Sequence, residues 1–258
     1  MTTGRIGQAH WQAIMRRVER PDAVALSLVL AGLATWGWIA SPFWLAAVIA
    51  LQLVVGGIGT VVILGPVRPV FGFARYATPA VAAVAVTLLG RLLGGSTLLA
   101  AAPIAAVGML AVTWSELRLP DGRTPRLMVE LTSVGICFAM AAGIGAVFVR
   151  SSWPPTVVLL VIALAVPALR SSELRGRYGI QAVGQAALHL LAVAQLGVAL
   201  AVLHLPGVVG AAVLALGFHA WAGAAEALDA GASGRAVLAE FGTLALLGLA
   251  VAILLHTG

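Results

Sequence analysis

Nine apolar stretches, near residues 23–40, 43–65, 77–93, 97–115, 128–149, 155–170, 181–203, 206–227 and 236–256, constrain this chain more than any other feature. Each approaches the ~17–25 residues that a helix needs to cross a bilayer. In hydrocarbon every backbone N–H and C=O must be satisfied internally, so isolated spans of this length fold as helices. The expected fold is therefore all-α: a polytopic transmembrane helix bundle of about nine spans. Charge agrees with this, because only 9% of the 258 residues are charged, whereas a soluble domain carries about 25%. The sixth stretch is short and contains Pro167, which predicts a kink there.

The connections alternate in character. SP (41–42), GGS (94–96), RSSWP (150–154) and LP (205–206) are short and nearly free of charge. Segments 66–76, 116–127, 171–180 and 228–235 carry arginines, as does the N-terminal lead. Placing the second set inside the cell puts Arg5, Arg16, Arg17, Arg20, Arg68, Arg75, Arg118, Arg123, Arg126, Arg170, Arg175, Arg177 and Arg235 on one side. Only Arg91 and Arg150 fall on the other. The positive-inside rule then predicts a bacterial plasma-membrane protein with a cytoplasmic N-terminus and a C-terminus outside. Such short outer links predict that spans 1–2, 3–4, 5–6 and 7–8 pack as antiparallel hairpins. Arg91, near the outer end of the third span, is expected to snorkel to the headgroups.

Residues 1–22 read as a cytoplasmic amphipathic segment, with Ile6, Trp11, Ile14 and Val18 on an apolar arc and arginines toward anionic headgroups. Arg16 and Arg17 resemble a twin-arginine export signal, but the long polar lead favours a retained anchor. Residues 23–258 read as one transmembrane domain. The expected partners are the bilayer, anionic lipid headgroups and other membrane proteins. Nucleic acid is not expected, because the net charge of +6 is spread over loops rather than clustered on a soluble face.

Polar residues inside the apolar stretches are the candidate functional groups, since lipid penalises them. Gln181, Gln185 and His189 recur every four residues along the seventh span, and Gln195 returns close to their face. This stripe is expected to face other helices or a water-filled cavity. His219, Gly223 and Glu226 share a face of the eighth span, so that the two sets could meet across a hairpin. Glu116, Glu130, Glu226 and Glu240 gather at the inner helix ends, Glu130 with Ser133 and Cys137 above it and Glu240 with Thr243. One reading makes these residues ties between helices and partners of loop arginines, at about 0.6 kcal/mol per interhelical bond. The other makes Gln181, Gln185, His189, His219, Glu226, Glu240 and Glu130 a substrate or proton relay facing the cytoplasm.

Several chemistries are excluded or disfavoured. All 15 basic residues are arginine, so no lysine can form a Schiff base or serve a phosphate loop. The single Cys137 excludes an internal disulfide and a multi-cysteine metal site. Haem held by His189 and His219 is disfavoured, because helices packed ~8–10 Å apart leave little room for a porphyrin. HExxH, GxSxG and paired-aspartate motifs do not occur. No metal or cofactor is therefore expected.

With TWSEL, ALRSSELRGRY and GRAVLAEFG in view, the C-terminal two-thirds resembles uncharacterised bacterial multi-span families classed as domains of unknown function. The resemblance is a pattern of acids and arginines at inner helix ends; it implies no activity and carries no catalytic residues. The leading expectation is a transporter-like protein with a cytoplasm-facing polar site, a non-enzymatic role being favoured over an enzymatic one. Alternatives are a non-catalytic membrane-complex subunit or scaffold, and an enzyme acting on a lipid-linked or quinone-like substrate.

Overall fold

The computed structural model describes residues 21–65, 72–94, 97–119, 125–147, 153–203 and 207–257, and among these it contains ten helices and no strand. They are α1 (Pro21–Ile39), α2 (Pro42–Leu64), α3 (Ala74–Gly90), α4 (Thr97–Arg118), α5 (Arg126–Val147), α6 (Trp153–Ala163), α7 (Ala165–Leu174), α8 (Gly179–Val202), α9 (Gly207–Asp229) and α10 (Gly234–Thr257). Counting α6 and α7 together, eight are long and apolar enough to cross a bilayer, and α3 is a shorter ninth. The protein is an all-α polytopic membrane bundle. The N-terminal lead, with Arg5, Arg16, Arg17 and Arg20, lies outside the described residues.

The expected hairpins are present: α1 packs on α2, α3 on α4, α5 on α6 and α7, and α8 on α9. Seven of the eight described arginines (Arg75, Arg118, Arg126, Arg170, Arg175, Arg177 and Arg235) therefore lie at one end of the bundle, and only Arg91 lies at the other.

The shortest span forms the axis of the N-terminal half. Fourteen of the 17 residues of α3 are buried, and α1, α2, α4, α5 and α7 all pack against it. Its run of alanine and valine makes it thin enough for this. At Gly56 of α2 a Cβ would come within 2.6 Å of the Ala80 Cβ, so only glycine allows that approach. Polar ties supplement the packing, with Gln52 Nε2 donating to Thr87 Oγ1 at 2.7 Å and Trp38 Nε1 to the Val86 carbonyl at 3.0 Å.

Arg91 does not simply reach for headgroups. Its Nη1 donates to the carbonyls of Gly37 and Ala40, at 2.8 and 2.9 Å, and so satisfies the C-terminal end of α1. Where Pro167 led to the expectation of a kink, the helix is interrupted three residues earlier, at Leu164 between α6 and α7. Pro167 has no N–H for the Ala163 carbonyl and its ring crowds that turn. The Leu164 and Ala168 amides still bond to Leu160 and Leu164, so the span is interrupted for one residue without parting.

Candidate functional site

Two polar assemblies occupy the arginine-bearing end. The first is a buried ionic knot joining α3, α4 and α7. The Arg170 Nε and Nη2 donate to the two carboxylate oxygens of Glu116 at 3.0 and 2.5 Å, and its Nη1 reaches Glu173 at 3.4 Å. The other Glu173 oxygen accepts the Phe73 and Ala74 amides at 2.6 and 3.1 Å. A carboxylate thus caps the positive end of α3. The Arg75 Nη2 donates to the Glu116 carbonyl at 3.2 Å. All four side chains are at least 95% buried. Gly72, at φ +80°, lies directly against the Glu173 carboxyl, where a Cβ would collide with it. With every carboxylate hydrogen-bonded, the knot fixes the interrupted span against the central helix.

The second assembly is a chamber of about 90 Å³ between α5, α7 and α9, lined by Glu130, Ser133, Ser171, Arg175, His219 and Glu226. That volume is close to three waters at ~30 Å³ each. His219 lies deepest, about 15 Å along α9 from its Asp229 end. Glu130 and Glu226 are nearer the helix ends, and Glu226 is exposed. Arg126 pairs with both, its Nε 3.0 Å from Glu130 and its Nη1 3.2 Å from Glu226, which ties α5 to α9. Arg177 pairs with Asp229 at 2.8 Å beside them.

Arg175 is held differently. Its Nη1 donates to Ser171 Oγ at 3.0 Å, and its Nη2 to Ser172 Oγ and Gln185 Oε1, each at 3.3 Å. Burial pulls its guanidinium below the ordinary arginine value, while Asp229, Glu226 and Glu130 act at longer range to raise it.

The sequence-predicted residues divide. Glu130, His219 and Glu226 share the chamber, and Gln185 reaches it through Arg175. His189 is wholly buried but lies outside it: its Nε2 is 3.1 Å from the Phe218 carbonyl and its ring stacks on Phe218 at 4.1 Å between centroids. His189 and His219 therefore do not face a common space. Gln181 and Gln195 are exposed on α8. Glu240 is exposed on α10 and has no ionic partner among the described residues.

The helix period explains the divided stripe. The buried face of α8 is Ala182, Ala186, His189, Val193, Gly197 and Leu200. At about 100° per residue, His189 lies about 35° from the centre of that arc, Gln185 about 75°, Gln181 about 115° and Gln195 about 155°. The small residues, not the polar ones, mark the face that enters the bundle.

Glu173 and Arg170 were not singled out by the sequence. They sit inside α7, whereas hydropathy ends the span at Arg170 and assigns 171–180 to a loop. The available signal was their i, i+3 spacing, which puts opposite charges on one helix face. Among the described residues, no three His, Cys, Asp or Glu side chains are grouped closely enough to hold a metal. No protein-family model, curated protein or solved structure matches this chain.

Proposed function

We propose that this is a transporter-like protein of the bacterial plasma membrane, working through the chamber between α5, α7 and α9. The observation that carries the reading is the convergence of two carboxylates, an imidazole, a guanidinium and two hydroxyls on one water-sized space within an apolar bundle. Ionisable groups inside an apolar bundle are costly to place there and mark pathways and ligand sites in membrane proteins. The positive-inside rule orients the chamber toward the cytoplasm. Glu130 and Glu226 stand at its entrance as proton acceptors, with His219 as the inner relay. The interruption at Leu164 lies in the span that supplies Ser171, in keeping with the broken helices that line transport sites.

Reconstitution into liposomes containing a pH-sensitive dye tests the proposal. A proton flux above that of empty liposomes, lost in the Glu130→Gln/Glu226→Gln double variant, is expected. Flux no greater than the empty control, or unchanged in a correctly folded double variant, would sink it.

A further inference from the structure

Accepting the chamber as the working site, the charge arrangement also says what enters it. The two chamber carboxylates, Glu130 and Glu226, are both claimed by Arg126. Arg175 is not so matched. Its hydrogen bonds go to Ser171, Ser172 and Gln185, all neutral, and among the described residues no carboxylate lies within ion-pairing distance of it. Its Nε is buried with no hydrogen-bond partner. A half-buried guanidinium is unfavourable unless an anion accompanies it. Within the walls around it, the chamber is the space where that anion can stand.

We propose that the chamber binds a small carboxylate-like anion, of about the size of acetate, at Arg175. Both Nη2 hydrogens are engaged by Ser172 and Gln185, so the donors left for an anion are the buried Nε–H and the second Nη1 hydrogen. Gln185 and the two serines fix the guanidinium plane, which leaves it preorganised. His219 stands on another wall and can offer a ring N–H to the anion's oxygens, while the Ser133 hydroxyl donates to the Val129 carbonyl at 3.2 Å and lines the space. The volume of about 90 Å³ suits an anion of three or four heavy atoms. Arg126 offsets one of the two entrance carboxylates, and the anion's attraction to Arg175 must exceed the repulsion of the other.

The test uses the full chain purified in detergent, in gluconate buffer, whose anion is too large for the chamber. Acetate and methylammonium, matched in size and opposite in charge, are titrated by calorimetry. Acetate should bind and methylammonium should not, a comparison that needs no variant. Arg175→Gln should weaken acetate binding at least about tenfold, the loss expected for a hydrogen bond to a charged group. Should that variant fail to fold, Ser133→Leu, which fills the chamber from α5 and leaves Arg175 in place, should abolish binding. Methylammonium binding as well as acetate, or undiminished acetate binding in folded Arg175→Gln, would overturn the assignment. Acetate binding without proton flux would overturn the transport reading alone; flux without acetate binding would overturn this inference alone.

Discussion

Arg170 and Glu116 meet side-on inside the bundle, Nε to one carboxylate oxygen at 3.0 Å and Nη2 to the other at 2.5 Å, with both side chains almost wholly buried. Such a pair contributes little net stability when intact, yet losing one partner strands a charge in a dry interior. Glu116→Gln and Arg170→Gln are each expected to cost about 3–5 kcal/mol. The Glu116→Leu/Arg170→Met double change should recover part of that loss, since Glu173 loses Arg170 but keeps the Phe73 and Ala74 amides. Thermal unfolding in a fixed detergent measures the comparison, and equal damage from single and double variants would contradict it.

Gly72 precedes α3 at φ +80° and presses on the carboxylate that caps that helix. Gly72→Ala should destabilise by about 1–3 kcal/mol from backbone strain alone, with a further loss as Glu173 is pushed off the Phe73 and Ala74 amides. Gly57, around which no atom would meet a new Cβ, is the control, and Gly57→Ala should be neutral or slightly stabilising.

His189 behaves in this geometry as a tie between α8 and α9. Replacing it with leucine should cost about 1 kcal/mol for one hydrogen bond and leave liposome proton flux intact. His219→Leu should instead reduce flux with little change in unfolding temperature, since its side chain lines the chamber. Reversal of the two phenotypes would return the relay to the α8 stripe.

Ser133 lies on the chamber wall, and the single native cysteine, Cys137, is buried one turn away. Ser133→Cys should react with a small water-soluble thiol reagent while the parent chain stays unlabelled, as mass spectrometry would read. An unlabelled Ser133→Cys would show that water does not reach the chamber.

Gln195 leaves its amide on the outer face of α8, within an apolar span and with no hydrogen-bond partner among the described residues. Gln195→Leu should raise stability in lipid nanodiscs by about 1 kcal/mol, the scale of an unpaired amide transferred from an apolar medium. A loss of stability would mean that another helix supplies its bonds.

The sequence conveyed most of the architecture because hydropathy, span length and arginine placement are local properties that the bilayer forces to agree. The shared inner level of Glu130 and Glu226 was legible for the same reason, each lying a countable number of residues from an inner helix end; that His219 joins them in a space apart from His189 was not. The α8 stripe was misleading, because polarity alone does not say which arc enters the bundle. That arc follows close packing by Ala182, Ala186 and Gly197. The Arg170–Glu173 knot was hidden because the chain continues as helix past the end of its apolar run. The charges there are satisfied by partners up to 100 positions distant, a relation that no local window contains.

The last helix has a different dependence on its surroundings. Only 6% of its apolar window is buried, α9 is its main neighbour, and a groove of about 380 Å³ separates it from α8. Its place in the bundle therefore rests mainly on the single interface with α9. Harsh detergent extraction should peel α10 away first and leave the chamber standing, so preparations in native-like lipid and in harsh detergent would differ at this edge before they differ anywhere else.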